Sequence, residues 1–371
     1  MAHLPIFGPE VVAGQEHCTR SLEFQVQQYI KDAFWPNSRS SINEYASYFR
    51  YFQWTLSILA WPKGIIDSEQ FAVKTYGDLA RTVRCMETNI GLDRLMMAEK
   101  LQHELPKSSQ GQILRSMDLA ARLWLTIHVR SGDYPVGPSL SDITETQWMD
   151  RMSLQNMVQE CFQPSSYSTE HYEARIDVAF TVNNLRKFCR MKIQWTANLK
   201  DHLDYDRFTG TLHLFPHKIC LISHLESNSV LPKDLVSETL RTLDLLFPFG
   251  DESTQKYLAE SGQDFYRTSS RDLSRATDFG EFRYWRRRLV ELHELFHQAP
   301  KSVLQMWHDR RNPMQWWTFW LAVAIAFLTI LFGIISSYTG FQQVVLAGKA
   351  YQLAILQACS QGNFSADLCG K

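Results

Sequence analysis

The chain has no cysteine pair at CxxC spacing, no phosphate loop of the P-loop or GxGxxG kind, and no GxSxG turn. It therefore carries no sequence sign of a zinc ribbon, a thioredoxin-like redox centre, a nucleotide cradle or a hydrolase nucleophile elbow. Neither charge is in excess: 38 Lys and Arg stand against 39 Asp and Glu, for a net charge of −1. Nucleic-acid binding draws on clustered basic charge, so composition makes no case for it. The opening residues 1–14, MAHLPIFGPEVVAG, hold Pro5, Pro9 and glycines where a signal peptide would hold an apolar run. Export of the body is not expected.

What the chain does have is one uncharged run, from Met314 to Gly348. Its centre, Trp316 to Tyr338, is long enough to cross a bilayer as a helix, which takes about 20 apolar residues. Trp316, Trp317 and Trp320 lead it, and indole rings favour the headgroup boundary. Arg310 and Arg311 precede it, with Arg286, Arg287 and Arg288 further back, whereas Lys349 and Lys371 are the only basic residues beyond. By the positive-inside rule the large N-terminal part is cytosolic and residues 339–371 form a short lumenal or extracellular tail. Asn363-Phe364-Ser365 fits the N-glycosylation acceptor pattern, and Cys359 and Cys369 bracket it as a pair an oxidising compartment could close. The remaining cysteines, Cys18, Cys85, Cys161, Cys189 and Cys220, read as reduced thiols of a cytosolic domain. Phe341 to Cys359 is apolar enough to suggest a second span turning back at Gly340. Gln342, Gln343, Lys349 and Gln352 favour a surface-lying or solvated helix instead.

Over the whole chain, an aromatic content of 13% and a hydrophobic content of 45% point to a folded core. Helical periodicity dominates residues 1–150. Ile42, Tyr45, Phe49, Phe52, Leu56 and Leu59 share a face behind a cap at Ser40 or Ser41, and Trp61-Pro62 ends that helix. Leu79, Val83, Met86 and Ile90 predict a second helix, and Gln112 to Ile127 a third. Polar stretches at Ser131–Ser141 and Gln163–His171 suggest a soft boundary, with a mixed α+β region over residues 170–300. There the pattern predicts a helix over Phe180–Arg190, a strand over Met191–Trp195 and a helical turn over Asn198–Leu203. A hairpin is expected around Thr209-Gly210, and a helix opened by Pro232 and stopped by Pro248. That order matches a winged-helix module, with Arg186, Lys187, Arg190 and Lys200 as a basic face. The bland reading, a small subdomain with solvated charges, fits the neutral balance better. The expected fold is thus mainly α with a small α+β portion, plus one C-terminal transmembrane helix.

Several phrases resemble a widespread family of uncharacterised fungal membrane proteins. They are Leu119–Ile127, Ile193–Leu203, Leu212–Lys218, Glu238–Pro248, Phe282–Ala299 and Trp307–Ile334. The last, with its W-x-DRRN lead into an aromatic-led span, is the most specific. The resemblance covers Leu119 to Tyr338 and implies a single-pass membrane protein. It brings no activity, cofactor or catalytic residue.

One catalytic-looking motif is present: His293-Glu294-Leu295-Phe296-His297 spells HExxH. On a helix, histidines four apart can share Zn²⁺ while the glutamate activates a metal-bound water. A zinc site also needs a third protein ligand, and no glutamate follows Glu294. Downstream, His308 and Asp309 lie beyond Pro300, and His213, His217 or His224 would give an unusual ligand order. Phe282, Trp285, Leu289, Leu292 and Phe296 form an apolar stripe; His293 and His297 lie on its shoulder, and Glu294 points to solvent. Arg287 and Glu291 stand at i,i+4. His213 and His217 flank Pro216 and read as structural. Trp124, Trp148 and Trp195 read as core. The expected role is binding or adaptor work at a membrane, with a lipid bilayer and a protein as partners. A membrane-tethered zinc metallopeptidase is the alternative, and zinc enters only with it.

Overall fold

The structure is a computed structural model that describes residues 2–7, 22–59, 68–131, 134–135, 145–164, 175–227, 229–263, 265, 275–297 and 313–360. In chain order the helices are α1 (Phe24–Phe34), α2 (Ala46–Leu59), α3 (Tyr76–Thr88), α4 (Arg94–Glu104) and α5 (Gln110–Leu125). Next come β1 (Val129–Ser131), β2 (Tyr134–Pro135), β3 (Thr146–Gln147), α6 (Leu154–Cys161), α7 (Val182–Cys189) and β4 (Lys192–Trp195). They are followed by β5 (Tyr205–Asp206), β6 (Thr211–Leu214), α8 (Lys218–Glu226), α9 (Lys233–Leu246) and α10 (Glu252–Glu260). Last are α11 (Arg286–His297) and α12 (Pro313–Ser360). The chain is mainly α-helical with a small α+β portion.

Side-chain caps set several helix starts. Thr75 and Ser109 each accept a backbone N–H from the third helical residue, and Asp78 and Gln112 return a bond to the cap's own N–H. The helix expected from Gln112 therefore starts two residues earlier, because Gln112 belongs to its capping box. Ser41 stands at the expected cap position but makes no side-chain cap bond, and a 3₁₀ turn, Ile42–Tyr45, leads into α2 instead. Buried side chains run along almost the whole of α5, including Ile113, Met117, Ala120 and Trp124. Helices α3 and α4 pack on α5, and α1 on α3. Further on, α8 packs on α9, while α7 touches both α10 and α11.

Met1–Gln298 form one compact unit and Ala299–Lys371 a second. The polar stretch between Ser131 and His171 thus lies inside a unit. Two small sheets accompany the helices. In the first, β1 pairs antiparallel with β2 and parallel with β3. In the second, the expected hairpin β5–β6 forms, and β4 joins β6 in parallel to give the order β4-β6-β5. The winged-helix reading fails here. Between β4 and the hairpin, where a recognition helix would stand, there is only a 3₁₀ turn, Leu199–Asp201, with Leu199 and Asp201 buried. Of the basic face, Arg186 lies 4.1 Å over the Tyr257 ring and Arg190 is the left-handed cap of α7. Glu291 also departs from its expected i,i+4 partner Arg287. It accepts Nε and Nη2 of Arg207, which the β5–β6 turn delivers at 2.9 and 2.7 Å.

In the second unit, the span expected to end near Tyr338 continues as α12 through Gly340 to Ser360, so Phe341–Cys359 do not fold back. Forty-eight residues at 1.5 Å each give about 72 Å, more than twice the ~30 Å of hydrocarbon. Trp317–Ala358 is long and apolar enough to cross a membrane, with a mean hydropathy of 2.5 and none of its most apolar window buried.

Among the described residues, one ion pair has both side chains buried. Arg94 Nη2 on α4 reaches both carboxylate oxygens of Asp118 on α5 at 2.7 Å, and Nη1 donates to the Trp148 carbonyl at 2.9 Å. Both side chains are buried. Removing one partner leaves the other charge stranded, which typically costs about 3–5 kcal/mol. Asp118→Ala is expected to lose that much stability in denaturant unfolding of the full chain, and Asp118→Asn, which keeps a hydrogen-bond acceptor for Arg94, to lose less.

Candidate functional site

Helix α11 carries the HExxH residues. Its apolar stripe is buried as expected: Phe282 and Trp285 just before the helix, then Leu289, Leu292 and Phe296. His293 is more deeply placed than a shoulder position suggests, at 3% exposure, while Glu294 and His297 are exposed. The His293 ring packs edge-on against Phe279 and Phe180, with centroids 5.0 and 5.4 Å away. The two imidazole Nε2 atoms stand 3.0 Å apart. Burial, then the neighbouring His297, push the His293 pKa down to about 4. Hydrolysis of the HExxH type requires the glutamate beside the metal-bound water, whereas Glu294 faces solvent. Among the described residues, no group of three His, Cys, Asp or Glu side chains could hold a metal ion.

The other sequence candidates are dispersed. Trp316, Trp317 and Trp320 lie on α12, Trp317 exposed and Trp320 half-buried. Arg310, Arg311, Asn363 and Cys369 lie outside the described residues; Cys359 is within α12, but its side chain is outside them. Cys85, Cys161, Cys189 and Cys220 are free thiols. His217 is buried against Tyr48, Tyr51 and Phe215, and burial lowers its pKa to about 3, as a structural histidine requires.

A second cluster has no sequence motif. It centres on the 3₁₀ turn Leu199–Asp201 and is bounded by two strained residues. Thr126 (φ 54°) ends α5, and Leu203 (φ 63°) leaves the turn. A β-branched residue in the left-handed region is costly and persists only where its surroundings fix it. Here the Thr126 carbonyl accepts the Leu199 N–H at 2.8 Å. Asn198, wholly buried, accepts the His128 N–H and donates to Asp201 Oδ2 at 3.0 Å. His202 Nδ1 accepts the Phe215 N–H, so the neutral ring carries its proton on Nε2 and donates it to Thr242 Oγ1 at 2.7 Å. Burial, helped by Arg288, holds the His202 pKa down to about 3. Arg288 from α11 donates to the carbonyls of Lys200 and His202.

Asp201 is raised to about 6, chiefly by burial, which is the range of a general acid or base. At 4% exposure, however, it offers a substrate no approach. The cluster is a polar joint between α5, α9 and α11. Periodicity could not reveal it, because its residues sit in a turn and its partners are backbone groups. Compared with known proteins, the chain matches no family model, no curated protein and no solved structure.

Three buried histidines, of which only His202 belongs to the joint, set an acid sensitivity. His202, His217 and His224 are wholly buried with pKa values lowered to about 3, 3 and 4 from 6.5, so below pH 6.5 the unfolded chain takes up protons that the native state refuses. Their stabilisation is complete above 6.5 and is lost as pH falls toward those lowered values, about 2 kcal/mol per group by pH 5. Asp201 works the other way: protonated natively below about 6, it adds stability as pH falls toward 3.8. Asp201→Asn should therefore be more stable than the parent at pH 7 and lose more on going to pH 5. Denaturant titrations at both pH values check this, and an unchanged pH slope would contradict it.

Proposed function

We propose that the protein is a membrane-anchored binding module, held by α12 in a lipid bilayer with its helical unit in the cytosol. One observation carries the proposal: α12 exposes Leu321, Ile325, Phe327, Ile330, Phe332 and Ile334 along a helix of bilayer-crossing length. Exposed apolar surface on that scale marks a membrane or protein contact. The Arg310-Arg311 pair supports the orientation, since basic residues stay on the cytosolic side. A far-side tail would bring Asn363 to the glycosylation machinery and let Cys359 and Cys369 oxidise. Membership of the fungal family that the chain resembles belongs to the same proposal, as does a protein partner for the cytosolic unit.

Insertion at the Trp317 boundary accounts for the polar residues further along. About 20 residues, or ~30 Å, carry the helix from Trp317 to Ser337, next to Tyr338, an aromatic suited to the opposite interface. Gln342, Gln343, Lys349 and Gln352 then fall outside the hydrocarbon. The zinc-peptidase alternative finds no third metal-ligating side chain among the described residues and gains no support.

Expression in microsomes tests the proposal. Full-length protein should stay in the membrane through alkaline carbonate, and a glycan should attach at Asn363 and vanish in Asn363→Gln. Protease added outside sealed vesicles should digest the helical unit and spare a fragment containing α12. Release by carbonate would reject anchoring; a protected helical unit would reject the orientation.

A further inference from the structure

We propose that His293 and His297 form a two-histidine clip for a borderline divalent cation, Zn²⁺, Ni²⁺ or Cu²⁺, with water filling its other positions. The inference stands on α11 and the residues packed against it and does not depend on membrane anchoring. Residues four apart lie one above the other on a helix, and here the two Nε2 atoms meet at 3.0 Å. Two nitrogens held 2.0–2.1 Å from a tetrahedral ion stand about 3.3 Å apart. Small ring rotations thus convert the pair into a chelate, with each ring carrying its proton on Nδ1.

The two rings have complementary surroundings. Phe279 and Phe180 fix the His293 ring at the core edge, which reduces the rotamer entropy that a chelate must overcome. His297 is exposed, with its ring against Phe296 at 5.3 Å, so its side of the pair is in reach of water. The Asp177 carboxylate acts on His293 as a nearby negative charge, which favours a bound cation. Glu294 is exposed and is given no part in the clip, so the chemistry assigned is binding without hydrolysis.

Titration of tag-free full-length protein in detergent with ZnCl₂, NiCl₂ or CuCl₂ tests the clip. One equivalent should bind and raise Tm. His297→Ala, an exposed substitution that leaves the fold in place, should weaken binding by more than about tenfold, since loss of an outer-shell partner alone costs 10–100-fold. Glu294→Gln should bind as the parent does. With Cu²⁺, the electron paramagnetic resonance spectrum should show two imidazole nitrogens in the parent and one in His297→Ala. The proposal is overturned if the parent binds no metal ion, if His297→Ala keeps the parent affinity, or if the spectrum shows no paired nitrogens.

Discussion

Glu238 holds α11 where it is. Its carboxylate, on a side chain buried in α9, accepts the backbone N–H groups of Arg283, Tyr284 and Trp285 at 2.6–3.0 Å. Those donors immediately precede α11, and the positive end of the helix dipole favours the charge. Burial nonetheless raises the Glu238 pKa, the N–H groups and Arg286 pulling against it only in part. A buried carboxylate that remains costly despite such donors is tolerable only if it fixes something. Here it fixes the direction of α11. Trp285 then enters the core, its indole N–H reaching Thr239 at 2.8 Å and its ring meeting Phe162 and His202. One helical turn on, Arg288 reaches the carbonyls of the 3₁₀ turn.

The same economy recurs at several of the polar groups this unit buries. His202 is neutral because both nitrogens are used, one as acceptor and one as donor, and protonation would cost it the Phe215 N–H. Asn198 spends its amide on two segments at once. Arg94 divides its guanidinium between a carboxylate, a carbonyl and the Trp148 face. Each such group links elements distant in sequence, so together they specify one arrangement of helices that apolar packing alone would leave loosely defined.

Legibility in the sequence tracked how local each determinant is. The helices α2, α3, α5, α7 and α9 were readable because their apolar faces repeat over several turns, and the β5–β6 hairpin because Thr209-Gly210 marks its turn. Helix α4 was missed: its stripe is weak, and Arg94 is buried there through an ion pair with a residue 24 positions away. Helix α8 was missed for the opposite reason, since Lys218, Ser223 and His224 are buried beside its apolar residues and blur any face. The parallel pairing of β4 with β6 is non-local and leaves no pattern in the sequence, where the order of elements alone suggests a winged helix. Of the HExxH motif, the wheel gave the outward glutamate correctly. It could not give the depth of His293, which depends on Phe180, more than a hundred residues away.

Helix α12 shows where sequence patterning and backbone geometry part company. A change of side-chain polarity after Tyr338 suggested that the helix should end or turn, yet Gln342 and Gln343 are good helix formers and no proline follows until the chain ends. Backbone hydrogen bonds within a helix are satisfied whether lipid or water surrounds it, so crossing from one medium to the other needs no break. Polarity decides which part of the helix lies in which medium; propensity decides whether it continues. With propensity favourable on both sides of Gly340, the Gly340 position acts as a step in polarity along one continuous rod, not as a hinge.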